Sequence, residues 1–426
     1  MGYRSTRFPS GEAVGFEQAM LDGLAPDGGL YLPTELPRLP SGWRSAGSLA
    51  ELAAAALPRL LGMDASEVAE VFADALDFDV PIVPLSGERH VLELFHGPTA
   101  AFKDFGARSL ARLMERSLKR RGRRALILVA TSGDTGGAVA DAFAGLTHSR
   151  VALLYPAGRV SPVQERQLTT QREGVTAYAV AGSFDDCQRL VKEAFADPAL
   201  AGLGLSSANS INVARLLPQS LYHLWGAVRA ADEGLTIVVP SGNLGNLTSG
   251  VIASRMASGL GDFVAAHNAN DYFPRYLVGE RDAYEFESSV ATLSNAMDVG
   301  APSNFERLVA LLAGADERVT GVAVSDHETV EQMRETYARD GYLACPHTSV
   351  GLRALERLRS AGVATGPALV LATAHPGKFP EVVTDALGTD VVGLELTRTP
   401  ADDGRGVPLA AELDDLRDAL LTTFGA

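Results

Sequence analysis

Residues 125–143 read ALILVATSGDTGGAVADAF, a short apolar run that ends in a glycine-rich turn and an apolar stretch. Residues 235–256, LTIVVPSGNLGNLTSGVIASRM, repeat this arrangement. Short apolar runs bounded by turn residues indicate buried strands, here at 125–130 and 235–239. The stretches after the turns predict helices that end near Phe143 and Met256.

More apolar runs occur along the chain and alternate with amphipathic helical stretches. They lie at residues 151–154, 175–180, 263–266, 319–324 and 368–372. This alternation is typical of an α/β fold with parallel sheets covered on both faces. Ligands in such folds bind at the carboxyl ends of the strands, where both glycine-rich turns are placed.

The two turns have the composition of anion-binding sites. Backbone N–H groups at a helix N-terminus, with glycines that allow close approach, suit a phosphate or a carboxylate. Neither turn ends in Gly-Lys-Ser/Thr, and neither has the dinucleotide-binding spacing. For either turn alone, an ordinary strand-to-helix connection with a capping side chain is the alternative.

One lysine lies in an apolar setting. Residues 95–106 read FHGPTAAFKDFG, which puts Lys103 between Phe102 and Phe105 behind a Gly-Pro turn. An amine that loses hydration beside apolar rings has a pKa below its usual value of about 10.4 and can act as a nucleophile. The alternative is a stem packed on Phe102 with its head in water. Together with two anion-binding turns, Lys103 favours a cofactor that carries one phosphate.

Composition excludes several function classes. The 426 residues allow two or three domains, and the net charge of −15 disfavours nucleic acid or an anionic membrane as a partner. Cys187 and Cys345 are too few for a disulfide framework, which indicates a reducing cytoplasm. We expect no membrane span and no signal peptide. The histidines, His347 among them, lack metal-ligand spacing and are interpreted as structural, so no metal is predicted.

Several separate blocks, in order, resemble the threonine synthase family in its longer form with an N-terminal extension. They are residues 3–7, 24–31, 95–106, 131–136, 209–215, 240–246, 294–298, 302–307 and 373–379. The resemblance implies a pyridoxal-phosphate enzyme of fold type II, with two open, twisted, mainly parallel sheets flanked by helices. Cys345 and Gly377 depart from the residues usual in the family, in places that leave the chemistry intact.

The resemblance also implies a division into domains. Residues 1–92 are expected to form the N-terminal extension and residues 93–231 a smaller, mobile α/β domain with the lysine segment. Residues 232–426 are expected to form a larger α/β domain with the phosphate turn and a C-terminal tail.

Roles for single residues follow from the same resemblance. Lys103 would bind pyridoxal phosphate covalently and act as the base. The phosphate of the cofactor would be held by Gly242, Asn243, Leu244, Gly245 and Asn246. Asp134 would lie near the 3′ oxygen of the cofactor, and Thr373 would face its ring nitrogen. The substrate carboxylate would be bound by Thr131, Ser132 and Gly133, and its phosphate by Thr135, Ser210 and Arg215.

Two of these residues have structural alternatives. Thr373 could simply end its strand and cap the next turn, and Arg215 could be the solvent-exposed end of a helix that begins near Ser210.

The implied reaction converts O-phospho-L-homoserine and water to L-threonine and phosphate. Three alternatives stay open: addition of another nucleophile, β-elimination of serine or threonine, and a non-catalytic homologue that binds phosphate metabolites. A monomer or a homodimer is expected.

Overall fold

A computed structural model of the chain describes residues 1–131, 133–230, 234–313, 318–388 and 404–425. Its strands, in chain order, are β1 (Tyr3–Ser5), β2 (Tyr31–Pro33), β3 (Ile82–Leu85), β4 (Arg89–Glu93), β5 (Ala125–Ala130), β6 (Ser149–Pro156), β7 (Val175–Val180), β8 (Leu205–Ser206), β9 (Leu235–Pro240), β10 (Leu260–His267), β11 (Val319–Ala323), β12 (Ala368–Ala372) and β13 (Val407–Leu409).

The α-helices are α1 (Phe16–Asp22), α2 (Leu49–Ala56), α3 (Pro58–Leu61), α4 (Ala65–Ala75), α5 (Lys103–Arg121), α6 (Asp134–Phe143), α7 (Pro162–Thr169), α8 (Phe184–Ala196), α9 (Val213–Leu216), α10 (Ser220–Ala230), α11 (Gly245–Met256), α12 (Tyr272–Leu277), α13 (Phe305–Leu312), α14 (Asp326–Asp340), α15 (Pro346–Ser360), α16 (Pro380–Leu387) and α17 (Leu413–Phe424). Short 3-10 helices span Trp43–Ser45, Pro198–Leu203, Leu217–Gln219, Asn295–Met297 and Pro376–Lys378.

The strands form two large sheets and one small one. The six-stranded sheet has the order β11-β10-β9-β12-β4-β3 and is parallel except for the β3–β4 pair. The five-stranded sheet has the order β13-β7-β6-β5-β8 and is wholly parallel. Strands β1 and β2 pair antiparallel. The predicted class, mainly parallel sheets flanked by helices, is confirmed.

The central strands are buried on both faces. Every residue of β5, β9 and β12 is buried, which is why these segments read as continuous apolar runs rather than alternating ones. Strands β5, β7 and β12 have the predicted bounds, and α6 and α11 end at Phe143 and Met256 as predicted. Along the described residues, no helix has the length and apolar character that a bilayer span requires.

The sheets do not follow the predicted domain boundaries at either end of the chain. Strand β3 precedes the boundary at residue 92 and β4 spans it, yet both belong to the six-stranded sheet. Strand β13 pairs with β7, and α17 packs on α8, so the C-terminal tail completes the five-stranded sheet and not the larger half. The expected boundary at residue 231 lies outside the described residues. Which sheet a terminal strand joins depends on pairing between segments that are distant in the chain, and local sequence patterns do not encode this pairing.

Candidate active site

A cavity lies between the two large sheets, at the carboxyl ends of β5, β9 and β12. It brings together every predicted site residue that the structure describes except Gly133. These residues are Lys103, Thr131, Asp134, Thr135, Ser210, Arg215, Gly242, Asn243, Leu244, Gly245, Asn246 and Thr373. Ser132 lies outside the described residues. The clustering follows from topology, because turns after parallel strands meet at one edge of each sheet.

The turn between β9 and α11 has a backbone that only certain residues can adopt. A Cβ on Gly242 would lie 2.9 Å from Cα of Met297, so a side chain would push the turn away from a neighbouring backbone. Leu244 has φ of 60°, the left-handed region, immediately before α11 begins at Gly245. Oδ1 of Asn243 accepts hydrogen bonds from the backbone nitrogen and the hydroxyl of Ser303, at 3.1 and 3.0 Å. The N–H groups at the start of α11 therefore face the cavity from a fixed turn.

A buried histidine supports this turn from behind. Nε2 of His223 lies 3.0 Å from both the backbone oxygen and Oδ1 of Asn246. Burial lowers the pKa of His223 to about 4, partly offset by these hydrogen bonds. The imidazole is therefore neutral at neutral pH, and its Nε2–H donates to the oxygens of Asn246, whose Nδ2 has no hydrogen-bond partner among the described residues.

Lys103 is the first residue of α5 and lines the cavity. Its Nζ lies 4.9 Å from the centroid of the Phe102 ring. Burial lowers the pKa of Lys103 to about 8; the carboxylate of Asp134 opposes this shift, and the charges of Lys378 and Arg215 add to it. Lys103 is half-buried on the cavity wall, beside the Phe102 ring. This placement favours the predicted role in the cavity over a head group in bulk water.

The segment before Lys103 is tied to the loop after β12. The backbone N–H of Phe102 donates to the carbonyl of Thr373 at 2.9 Å, and that of His375 donates to the carbonyl of Ala100 at 3.0 Å. The turn after Thr373 is capped by His375, whose Nδ1 accepts from the backbone nitrogen of Gly377 at 3.0 Å. Thr373 directly follows the last residue of β12 and also lines the cavity, so its role at the cofactor ring stays a prediction.

Asp134 carries an ion pair that the sequence interpretation missed. Nζ of Lys378 lies 2.7 Å from Oδ1 of Asp134, with both side chains almost fully buried. Burial alone would raise the pKa of Asp134, but the ammonium groups of Lys378 and Lys103 outweigh it and hold the pKa well below its usual range. The composition could have drawn attention to Lys378, because lysine is rare in this chain. Only four of the 37 basic residues are lysines, at 103, 119, 192 and 378.

The turn between β5 and α6 is held by its threonine. Oγ1 of Thr131 accepts hydrogen bonds from the backbone nitrogens of Gly133 and Gly136, at 3.0 and 2.8 Å. Gly133 has φ of 134°, and a Cβ there would lie 2.5 Å from the amide carbon of Gln164. Gly133 thus packs against α7, while Thr131 and Thr135 line the cavity.

Arg215 is a buried cation without a carboxylate within ion-pairing distance among the described residues. Its Nη1 donates to the carbonyl of Ala208 at 2.6 Å, and within the same part of the chain Nε has no hydrogen-bond partner. Burial lowers the pKa of Arg215 to about 10, opposed by Asp104. The helix begins at Val213 rather than near Ser210, and Arg215 is 3% exposed, so its solvent-exposed alternative is wrong.

His347, interpreted from the sequence as structural, also lies on the cavity wall. Its Nε2 accepts a hydrogen bond from the backbone nitrogen of Ala296 at 3.2 Å. Burial lowers the pKa of His347 to about 4. A neutral imidazole that accepts at Nε2 carries its proton on Nδ1, near Sγ of Cys345 at 3.9 Å.

Comparison with known proteins gives a consistent result along the chain. A family model described as a pyridoxal-phosphate dependent enzyme matches residues 87–374. Models of the threonine synthase N terminus and of the threonine synthase C-terminal region match residues 2–72 and 348–419. The threonine synthase of Serratia marcescens is 39% identical over 97% of this chain and 95% of that protein.

The chain belongs to the threonine synthase family. Among solved structures, the pyridoxal-phosphate-bound threonine synthase of Brucella melitensis has a TM-score of 0.90 at 36% identity and full coverage of both chains. The yeast threonine synthase has a TM-score of 0.86 at 29% identity and 98% coverage of each chain. The predictions of the family, of fold type II, of a pyridoxal-phosphate-dependent lyase and of its cofactor are confirmed.

The residues of the cavity fit this cofactor. A turn crowded against Met297, which a Cβ on Gly242 would disturb, presents N–H groups where a phosphate can approach. Lys103 supplies an amine of lowered pKa in the same cavity. A neutral hydroxyl at Thr373 and a carboxylate at Asp134 complete a set of partners for a polar aromatic ring.

Proposed function

We propose that this chain converts O-phospho-L-homoserine and water to L-threonine and phosphate. The observation that carries the choice of substrate is Arg215, a buried guanidinium with a free Nε in the cavity of Lys103. An arginine in this state matches an anionic group that arrives with the substrate, because a planar fork suits phosphate and a buried cation gains most from a partner.

The site holds two anions in two different places in this proposal. The turn of Gly242, Asn243, Leu244, Gly245 and Asn246 binds the cofactor phosphate through backbone N–H groups. Arg215, with Ser210 and Thr135, binds the substrate phosphate. The substrate carboxylate is bound by the turn of Thr131, Ser132 and Gly133. A net charge of −15 makes such local donors necessary for an anionic substrate.

When bound, pyridoxal phosphate supplies the electron-withdrawing group that stabilises negative charge on the substrate carbons. Lys103 moves the protons at Cα and Cβ, and its pKa of about 8 leaves a useful fraction of neutral amine near neutral pH. Arg215 stabilises the phosphate that leaves Cγ. Water adds its oxygen at Cβ, and a proton ends on Cγ. Thr373 offers the cofactor ring nitrogen a neutral hydroxyl.

The direct test is turnover of O-phospho-L-homoserine by the purified holoenzyme, with threonine and phosphate both quantified. We expect one threonine for each phosphate released. Phosphate without threonine would favour addition of another nucleophile. Release of ammonia from serine or threonine at a comparable rate would favour β-elimination. The family relatives do not favour these alternatives or a non-catalytic binding protein.

The proposal includes the cellular location and the partners of the enzyme. Cys187 and Cys345 are free and buried, which supports a cytoplasmic location. The acidic charge supports action on small molecules without nucleic acid or membrane partners. A monomer or a homodimer stays the expected oligomeric state.

A further inference from the structure

Lys378 occupies a position that is costly for a charged side chain. It is 0% exposed, on the 3-10 helix Pro376–Lys378 that follows β12 of the six-stranded sheet. Its Nζ makes an ion pair with Asp134 at 2.7 Å and donates to the carbonyl of Thr99 at 2.9 Å. Buried ion pairs contribute little net stability, because desolvation opposes their attraction. Stability alone therefore does not account for a lysine here.

The partners of Lys378 come from elements that frame Lys103. Asp134 begins α6 after β5 of the five-stranded sheet, and its Oδ1 also accepts from Nε2 of Gln164 at 3.1 Å. Thr99 lies four residues before Lys103, and its nitrogen and hydroxyl donate to the carboxylate of Asp104 at 2.9 and 2.6 Å. Lys378 thus joins both halves of the site at Lys103.

The charge of Asp134 acts on two lysines, but among the described residues only Lys378 makes an ion pair with it. Lys378 has two fixed oxygen partners, whereas Lys103 makes no hydrogen bond through its amine among the described residues and contacts the Phe102 ring. The other charged or titratable groups that act on Lys103 are Arg215 and His347. Arg215 repels a proton on Lys103, and His347 is neutral. Burial and the positive charges of Lys378 and Arg215 therefore favour loss of the proton from Lys103.

We propose that Lys378 is a positioning residue for Lys103: its ammonium group fixes the Asp134 carboxylate and increases the neutral fraction of the Lys103 amine. The inference deepens the proposed function, since a neutral amine is what binds the cofactor and accepts a proton. Lys378 itself touches no reacting atom in this proposal. The charge of Asp134 raises the pKa of Lys103 and the charge of Lys378 lowers it. Substitutions of the two residues should therefore shift this pKa in opposite directions, which can be tested.

The test is an NMR titration of Lys103 in the full-length, cofactor-free protein labelled with 13C at lysine Cε. Four lysines give four signals, and each is assigned by its loss in a single variant. For Lys378→Met we expect the Lys103 midpoint to rise by at least about one pH unit, a tenfold smaller neutral fraction below the midpoint (about 1.4 kcal/mol). For Asp134→Asn we expect it to fall by a similar amount, and for Lys378→Arg to stay within about half a unit.

Lys119→Met, on the exposed end of α5, is the matched control and should leave the midpoint unchanged. An unchanged midpoint in folded Lys378→Met, or shifts of the same sign in Lys378→Met and Asp134→Asn, would overturn the proposal. If Lys378→Met does not fold, Asp134→Asn decides alone, since an unchanged or raised midpoint there refutes it. The titration needs no turnover, so failure to form threonine would affect the proposed function and not this result.

Discussion

Replacing Arg215 with methionine should separate stability from substrate binding. Methionine keeps most of the apolar stem and removes the guanidinium. In the structure this charge is buried without a carboxylate partner among the described residues. The substitution therefore removes a group that is costly to the substrate-free protein and needed by the anionic substrate.

The size of the stability effect follows from the pKa. Burial lowers the pKa of Arg215 from 12.5 to about 10, which corresponds to about 3 kcal/mol against the charged form. Losing the hydrogen bond to the carbonyl of Ala208 costs about 1–3 kcal/mol. The two effects offset, so we expect the free energy of unfolding of Arg215→Met to equal or exceed that of the parent by up to about 2 kcal/mol.

In contrast to stability, kcat/KM of Arg215→Met should fall. Truncating one partner of a buried charge pair costs about 2–5 kcal/mol, or a factor of about 30 to several thousand in kcat/KM for O-phospho-L-homoserine. Cofactor affinity should stay within about threefold, because its phosphate is bound at the separate turn of residues 242–246. The assays are urea unfolding, phosphate release, and titration of the cofactor by its visible absorbance.

Arg89 provides the matched control. It is also buried, but it pairs with Asp340 at 2.7 Å and Glu356 at 3.1 Å, away from the cavity. Arg89→Met should lower the free energy of unfolding by about 3–5 kcal/mol and leave kcat/KM of the folded protein near normal. Loss of as much stability in Arg215→Met as in Arg89→Met, or equal loss of cofactor and substrate affinity, would contradict the role assigned to Arg215.

Lys103→Ala should abolish the visible absorbance of the bound cofactor and turnover together, whereas the exposed Lys119→Ala should keep both; near-normal turnover without added amine would contradict the assignment. Thr373→Asp should change the visible spectrum and lower threonine formation while the fold persists, because an acid favours a protonated ring nitrogen; a lower Tm with an unchanged spectrum would remove Thr373 from the site. The pKa of His223, near 4 when folded and about 6.5 when unfolded, means that the unfolded state binds the proton first. His223 should therefore cost about 2 kcal/mol of stability as pH falls from 7 to 5; urea unfolding should show this loss reduced in His223→Gln and kept in exposed His327→Gln.

The central strands could be predicted from sequence because their burial is complete. A strand covered on both faces must be apolar at every position, so β5 and β12 are visible as unbroken runs with polar or glycine residues at their ends. Strand β11 is only half-buried because it lies at the edge of its sheet. Its apolar run at residues 319–324 still predicted it. Strand β13 has three residues, which is too short for any periodic signal.

The parts of the site that could be predicted are those with a local sequence pattern. The turn at residues 242–246 and the apolar neighbours of Lys103 are properties of contiguous sequence. Lys378 was missed because its meaning depends on Asp134, which follows a strand of the other sheet. The burial of Arg215 could not be predicted from the sequence either, because a four-residue helix has no amphipathic pattern from which to assign its buried face.

The pairing of β13 with β7 has a consequence for synthesis on the ribosome. Helix α8 packs on β5 and β6 of the five-stranded sheet, and α17 packs on α8. Leu409 of β13 and Leu416 and Leu420 of α17 lie in one apolar cluster with Cys187 and Leu190 of α8. These leucines are translated more than two hundred residues after β7, so the apolar side chains of α8 and the edge of β7 lack these partners while most of the chain emerges. The N-terminal-first order of folding that serves many domains cannot complete this half of the protein. Its last contacts form only after residues 407–424 have left the ribosome.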